Sequence, residues 1–157
     1  MLEFIIREIE NRDVKKVSKL IQKTYDVTIR NSKTYSNELV NYLIQKYSSD
    51  EIKERMKTRK FFVAIYNESI VGIIGLKRDR LSTLYVDPDY LGKGIATKLY
   101  ERFKEEALSK GISHILVESS EYAKPFYEKM GFKEVKKIDK EIKGEKYQDI
   151  LMEQKLK

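Results

Sequence analysis

Cysteine and tryptophan are absent from this chain of 157 residues, and histidine occurs once, as His114. Without cysteine there is no disulfide framework, no thiol nucleophile and no thiolate metal site. A single histidine cannot form a multi-histidine metal centre, and it leaves a Ser-His-Asp triad with little support. We therefore expect no metal cofactor and no catalysis based on cysteine or on a triad.

Long hydrophobic runs are missing as well. No apolar stretch approaches the roughly 20 residues that a helix needs to cross a bilayer. The first ten residues, MLEFIIREIE, carry acidic side chains where a signal peptide needs a basic flank and a longer apolar stretch. We therefore expect a cytoplasmic protein without a membrane partner.

Charge, in contrast, is plentiful: 32 Lys and Arg residues oppose 25 Asp and Glu residues, which gives a formal net charge of +7. Hydrophobic residues make up 41% of the chain, enough for a packed core, and this length suits one domain over residues 1–157. The basic residues are interspersed with acidic ones. We interpret them as a solvated surface that attracts anionic ligands, and we expect no nucleic-acid partner.

The first third of the sequence predicts a short strand at residues 2–8, beginning at Leu2, and then three helices. Each helix has apolar residues at helical spacing behind a side chain that can accept hydrogen bonds from the first turn. The third helix is expected to run to about Lys57. The expected N-terminal caps are Asn11 or Asp13, Ser36 and Ser48.

The remainder of the sequence is rich in strands. Apolar and β-branched runs bounded by turn residues predict a hairpin with its turn at Asn67 and Glu68, and a final hairpin with its turn at Gly144. The predicted strands are 61–66, 70–76, 81–86, 114–118, 132–138 and 147–156.

Two helices interrupt these strands. Ile95, Leu99, Phe103 and Ala107 recur every four residues, and Gly111 supplies a stop, so a long helix is predicted here. A shorter helix ends at Met130, with Pro125 in its first turn, where the missing N–H costs nothing. The order of elements indicates an α+β or mixed-sheet domain.

Gly92 and Gly94, in the segment LGKGIA, lie between the strand at 81–86 and the long helix. The first turn of a helix has N–H groups without intrahelical partners, and these donors attract anions together with the helix dipole. Glycine has no Cβ to hold a phosphate away. The P-loop pattern is absent, and Thr97 occupies the last position of G-x-G-x-x-G. The segment indicates either an anion-binding loop or an ordinary turn before a helix.

VDPDYLGKGIATKLYERF resembles the acyl-CoA signature of the GNAT superfamily of N-acetyltransferases, [Q/R]-x-x-G-x-[G/A], at residues 91–96. AKPFYEKMGFKEV, at residues 123–135, resembles the family's A-x-x-F-Y-x-K-x-G-F. The resemblance covers about residues 61–135. It implies an α+β fold with a central mixed, mostly antiparallel β-sheet flanked by helices. It also implies transfer of an acetyl group from acetyl-CoA to a primary amine, directly within a ternary complex.

Carried over to this chain, the resemblance implies a cofactor site around the two glycines. Strand backbone at 84–86 lines the pantetheine arm, and the amides of 92–97 hold the pyrophosphate. Leu91 replaces the family's Gln or Arg, which removes one polar contact. Where many relatives carry an Asn, this chain has Glu118, Ser119 and Ser120. The implied cofactor-binding residues are Leu84, Tyr85, Val86, Leu91, Gly92, Lys93, Gly94, Ile95, Ala96, Thr97, Ser120 and Tyr127.

Acetyl transfer needs a neutral amine. At pH 7, deprotonating the ammonium group costs about 4–5 kcal/mol for a lysine and about 1 kcal/mol for an α-amine. Many relatives have a Glu for this step on the strand before the glycine loop, but residues 80–86 contain no acid. Glu118 is the predicted base, on the expectation that burial raises its pKa, with Glu121 or a chain of waters as alternatives. Tyr127 matches the tyrosine that faces the departing thiol and is the predicted proton donor.

Two other functions remain open at this stage. A CoA-binding sensor without catalysis is compatible with Leu91 and with the missing strand acid. A basic nucleic-acid-binding protein lacks any accompanying recognition motif. The sequence leaves open which amine is the acceptor, among protein N-termini, amino acids and small amines, and whether the chain forms a homodimer.

Overall fold

The computed structural model describes residues 3–156, which form one seven-stranded sheet with helices on both faces. The strands are β1 (Ile5–Glu8), β2 (Lys60–Tyr66), β3 (Ser69–Lys77), β4 (Arg80–Val86), β5 (His114–Ser119), β6 (Lys133–Ile142) and β7 (Glu145–Lys155). Their spatial order is β1-β2-β3-β4-β5-β7-β6, and only β4 and β5 run parallel. The predicted mixed, mostly antiparallel sheet of an α+β fold is confirmed.

The helices cover the sheet in two layers. They are α1 (Val14–Thr24), α2 (Arg30–Ser32), α3 (Asn37–Gln45), α4 (Ser49–Met56), α5 (Ile95–Ser109) and α6 (Lys124–Lys129). Because side chains alternate along a strand, Phe62 packs in a core with α5, whereas its neighbour Phe61 packs in a second core with α1 and α4. Among the described residues, no helix is long and apolar enough to cross a bilayer.

Helix α5 lies close against the centre of the sheet. Its predicted apolar residues are all buried, including Leu99 and Phe103. A Cβ on Gly72 of β3 would come within 2.9 Å of the Leu99 side chain, so a glycine at this position lets the helix approach the strand. The predicted long helix is confirmed, and its N-terminus is fixed over the end of β4.

The two parallel strands separate along their length. Arg80, the first residue of β4, pairs with Leu116 of β5, and this is the one register pair that joins them within residues 3–156. In addition, β4 carries a bulge at Ser82, where its pairing with β3 shifts by one residue. Beyond this point β4 and β5 no longer close the sheet, and a cleft opens between their C-terminal ends.

The predicted helix starts are partly confirmed. Ser36 and Ser48 accept hydrogen bonds from the backbone N–H groups three residues later, as expected of N-terminal caps. The expectation of a cap at Asn11 or Asp13 is wrong. The Asp13 carboxylate accepts a bond from the Glu10 N–H and pairs with the guanidinium of Arg7 at 2.7 Å, so it ties β1 to the start of α1 instead.

Element boundaries differ most at the two ends of the chain. The first strand begins at Ile5, and the predicted start at Leu2 lies outside the described residues. The last hairpin is longer at its turn than predicted, because Lys143 and Gly144 both have positive φ and form a tight two-residue connection. Its strands are rich in Lys and Glu, which hid the alternation of strand residues.

Candidate active site

A cleft of about 720 Å³ occupies the space between the separating ends of β4 and β5. One end lies at the start of α5 and beside α6, and the other lies under the C-terminal end of α1 and the loop before α3. Apolar residues are exposed in it: Leu91, Tyr122 and Phe126 are 57%, 49% and 38% accessible. Such a patch inside a concavity is typical of a ligand site.

The glycine loop forms the open rim of this cleft. Gly92 and Gly94 have φ of +75° and +82°, and a Cβ on either would meet no atom within 4 Å. Glycine therefore provides the left-handed backbone and leaves free space beside it. The first intrahelical bond runs from the Lys98 N–H to the Gly94 carbonyl at 3.1 Å. The N–H groups of the preceding helical turn are free of intrahelical partners and lie at the positive end of the helix dipole.

The structure gathers most of the predicted cofactor residues around the cleft. Leu84, Tyr85, Val86, Leu91, Ala96, Ser120 and Tyr127 line it. Gly92, Lys93, Gly94 and Thr97 are exposed on the adjoining loop and first helical turn. The Ile95 side chain points away into the core under α5, so only its backbone N–H faces the rim. The Ser120 hydroxyl accepts a bond from the Ala123 N–H and so helps to fix the turn before α6.

Tyr127 lies on α6 at the cofactor end of the cleft. The residue is 8% exposed, and its ring packs edge-on against Phe126 and Phe132. Burial raises the pKa of its hydroxyl above the ordinary value of 10. The side chain is therefore a neutral hydrogen-bond donor at physiological pH, held in place by the aromatic packing.

Glu118 does not have the raised pKa expected for it. Its two carboxylate oxygens lie 2.6 Å from the Lys140 ammonium and 2.6 Å from the Arg80 guanidinium. The hydrogen bond to Lys140 lowers the pKa of Glu118, against the opposing effect of burial. A carboxylate paired with two cations is a weaker base than a free one, so the expectation on which its predicted role depended is wrong.

Asp149 of β7 is a second carboxylate in the cleft, and it was not among the predicted site residues. Burial raises its pKa to about 6. Within residues 3–156 its Oδ1 atom is buried without a hydrogen-bond partner. The alternation of β7, in which Ile150 and Met152 are core residues, places Asp149 on the opposite face; only the order of the strands shows that this face borders the cleft.

Tyrosines form the wall of the cleft beneath α1. The hydroxyls of Tyr25 and Tyr85 lie 2.9 Å apart, and the Tyr47 ring packs edge-on against that of Tyr85. Burial raises the pKa of both Tyr25 and Tyr85, so they remain neutral. Tyr25 begins a π-helical turn (Tyr25–Ile29) at the end of α1, and Thr28 and Ile29 of this turn also line the cleft. Such widened turns are frequent at functional sites.

Comparison with known proteins identifies the family and the fold. The sequence profile of the acetyltransferase (GNAT) domain matches residues 31–155. The uncharacterized N-acetyltransferase YafP of Escherichia coli K12 is 32% identical over 129 residues, covering 82% of each chain. A GCN5-related N-acetyltransferase from Rhodopseudomonas palustris superposes with a TM-score of 0.89 at 22% identity, over 99% of this chain and 98% of its own. The PaiA N-acetyltransferase of Thermoplasma acidophilum, solved with coenzyme A, gives a TM-score of 0.80 at 23% identity, over 98% and 99%. The chain belongs to the GNAT family and is an N-acetyltransferase.

Proposed function

We propose that this protein transfers the acetyl group of acetyl-CoA directly to a primary amine, with both substrates bound at once. One observation carries the proposal: a single cleft joins the exposed start of α5, a buried tyrosine and a separate tyrosine-lined end. The first two suit a CoA thioester, and the third has room for an acceptor. We also propose that residues 1–157 form a single domain.

The cofactor is assigned to the open half of the cleft. The backbone amides of residues 92–97 hold the diphosphate, and the exposed ammonium groups of Lys93 and Lys98 add positive charge nearby. The pantetheine arm lies along Leu84 to Val86, where β4 is unpaired on its β5 side within residues 3–156 and its backbone can bond a ligand. The PaiA N-acetyltransferase, which has the same fold, was solved with coenzyme A, and this supports coenzyme A as the ligand.

The thioester carbonyl is placed near Tyr127, at the junction of the two halves. The amine nitrogen attacks the carbonyl carbon, a C–N bond forms, and the C–S bond breaks to release a thiolate. Because the pKa of Tyr127 is raised above 10, whereas a thiol has a pKa near 8.5, complete proton transfer to the thiolate is unfavourable. Tyr127 instead stabilises the thiolate by donating a hydrogen bond, and the net proton comes from the amine nitrogen.

The test of the cofactor site compares two glycines of the same conformation. Gly94 (φ +82°) and Gly111 (φ +77°) both lie in open space, but only Gly94 adjoins the cleft. Each change to Ala costs about 1–2 kcal/mol of stability through backbone strain. We expect Gly94→Ala to weaken acetyl-CoA binding at least about tenfold in calorimetry, and Gly111→Ala to leave it unchanged.

Turnover separates the enzyme from a sensor. An active enzyme releases free CoA thiol from acetyl-CoA and increases the mass of the amine. The proposal is supported if this activity is lost in Gly94→Ala and retained in Gly111→Ala. Binding of acetyl-CoA without turnover against every amine tested would show a sensor. Equal binding by both glycine variants would overturn the proposed cofactor site.

A further inference from the structure

Asp149 lies where β7 extends past the end of β5. Its neighbour Ile150 pairs with Ser119, the last residue of β5. Asp149 lies one residue beyond this last pair, so β5 does not cover it. Its other neighbour strand continues, because Asp149 pairs with Ile138 of β6. The carboxylate is therefore held on a strand that is paired with β6, and it borders the tyrosine-lined end of the cleft.

No protein cation among residues 3–156 makes an ion pair with Asp149, although a lysine is close by. The Lys140 ammonium is bound to Glu118 at 2.6 Å, and Glu118 is also paired with Arg80. The charged and titratable groups around Asp149 are Glu118 of β5, Lys140 of β6, Tyr147 of β7, Tyr35 of the loop before α3, and Tyr25 at the end of α1. Among these described residues Asp149 is the carboxylate that makes no ion pair, and the charge of Lys140 and a hydrogen bond from Tyr35 only partly oppose the effect of burial on its pKa.

The space in front of Asp149 has aromatic and aliphatic walls. Tyr35 and Tyr147 pack edge-on with ring centroids 5.4 Å apart, and Ile29 and Leu43 complete this end of the cleft. Aromatic faces and one carboxylate attract a single ammonium group. A second positive charge on the ligand would have to lie against the apolar wall at a large desolvation cost.

We propose that Asp149 binds the acceptor as its ammonium ion and is the catalytic base that removes its proton, and that the acceptor is a small monoamine with an apolar or aromatic body. This inference depends on the proposed function, since it names the substrate class and the base of the same reaction. It assigns the base to β7, in place of the predicted Glu118.

Asp149 takes one proton from the ammonium, and the free amine attacks the thioester carbon. The nitrogen loses a second proton as the amide forms, and the departing thiolate gains one. Ammonium and thioester thus give amide, thiol and one proton, which Asp149 releases to solvent. In the protein without a bound amine, a pKa of about 6 rather than the ordinary 3.8 makes Asp149 a stronger base by about 100-fold.

The main test is the pH dependence of Asp149→Asn. In the wild-type enzyme we expect kcat/KM for the amine to fall as the pH drops below about 6, because the base becomes protonated. The same limb in kcat should lie at lower pH, since a bound ammonium favours the carboxylate. Asp149→Asn should lose this limb, lower kcat/KM for the amine at least about 100-fold at pH 7, and leave the KM for acetyl-CoA within about twofold.

Asp139→Asn is the matched control, because Asp139 lies on the same hairpin but is exposed and bonded to Gln148. It should retain the wild-type profile. Glu118→Gln separates the two carboxylates: because the negative charge of Glu118 helps to raise the pKa of Asp149, its removal should move the acidic limb to lower pH without abolishing it. Loss of the limb in Glu118→Gln, or its persistence in Asp149→Asn, would overturn the assignment.

An amine panel tests the substrate class. We expect hexylamine and 2-phenylethylamine to be acetylated with kcat/KM at least about tenfold above that for putrescine, spermidine, glycine or a short peptide N-terminus. A preference for a diamine, an amino acid or a peptide would overturn the class while leaving the transferase function intact. Failure of the enzyme to bind acetyl-CoA at all would instead refute the proposed function. If Asp149→Asn does not fold, the wild-type profile still decides, because a profile without a limb near pH 6 contradicts the proposal.

Discussion

Asp149 is a residue at which activity and stability oppose each other. Its pKa in the folded protein is about 6, above its ordinary value of 3.8, so folding favours the protonated carboxyl. The stability contributed by this group is therefore complete below about pH 4 and is lost as the pH rises through 6. At neutral pH the protein holds an ionised carboxylate in a place that water only partly reaches.

Replacing Asp149 should accordingly stabilise the protein at neutral and alkaline pH. At pH 8 we expect Asp149→Asn to raise the free energy of unfolding by about 1 kcal/mol, after allowance for solvent screening of a partly exposed group. This corresponds to a rise in Tm of about 2–4 °C. At pH 4 the change should be small. Scanning calorimetry at the two pH values, with Asp139→Asn as the control, checks this, and a lower Tm at pH 8 would contradict it.

Tyr127→Phe tests the tyrosine apart from the carboxylate. The ring packs against Phe126 and Phe132, and a phenylalanine keeps this packing while removing the hydroxyl. We expect kcat to fall at least several-fold because the thiolate loses its donor, and the Kd for acetyl-CoA to stay nearly constant. Steady-state kinetics and calorimetry on the same variant give both numbers. An unchanged kcat would show that Tyr127 only supports the core.

Residues that stand in short sequence motifs could be predicted, whereas the carboxylate that is positioned by strand pairing could not. Gly92, Gly94 and Tyr127 stand in short recognisable motifs, and the structure places them at one end of the cleft. Asp149 stands in a run of alternating charged residues with no motif. Its burial, and the lack of a hydrogen-bond partner for its Oδ1 atom among residues 3–156, follow from the strand order β5-β7-β6, which a single sequence does not reveal.

At the scale of elements, one lysine joins the two halves of the site. Lys23 near the end of α1 pairs with Asp87 at 2.8 Å and with Asp89 at 2.7 Å, in the turn that leads from β4 to the glycine loop. Hydrogen bonds to both carboxylates raise the pKa of Lys23 above its ordinary value. The pairing links the helix that borders the acceptor end to the loop assigned to the cofactor.

Breaking this link should disturb cofactor binding more than folding. Because Lys23 is 37% exposed and Asp89 is 74% exposed, solvent screens the pairs in part, and Lys23→Met should cost only about 1 kcal/mol of stability. We expect the KM for acetyl-CoA to rise about two- to fivefold, since the turn before the glycine loop loses its tie to α1. Lys19, exposed on the same helix, supplies the control Lys19→Met. Equal KM values for the two variants would show that Lys23 does not position the loop.

Elements with strong periodicity were predicted well, and elements shaped by their neighbours were not. The apolar spacing of α5 and the turn at Asn67 and Glu68, both with positive φ, are confirmed. The π-helical turn after α1 was missed, because its residues continue an ordinary helical pattern. The separation of β4 from β5 was also missed, since it depends on which strands become neighbours.

At the scale of the molecule, the sheet holds two cores on opposite faces, and the cleft lies where the sheet opens between them. The core with α5 supports the glycine loop and Tyr127. The core with α1 and α4 supports Tyr25 and the tyrosine wall. The two substrates of the proposed reaction thus meet at a gap in the sheet, each on a separately packed support.

The net charge of +7 should raise the rate at which the protein encounters acetyl-CoA, but not the rate for a neutral acyl donor. Acetyl-CoA carries its negative charges on phosphates, and a positive protein raises its encounter rate in a way that salt screens. We expect kcat/KM for acetyl-CoA to fall about three- to tenfold between 50 and 500 mM NaCl. An acetyl thioester of N-acetylcysteamine, which has the reacting group but no phosphates, should show little salt dependence at its lower rate. Stopped-flow or steady-state assays with both donors check this, and an equal fall for the two would mean that salt acts on the acceptor end or on the fold.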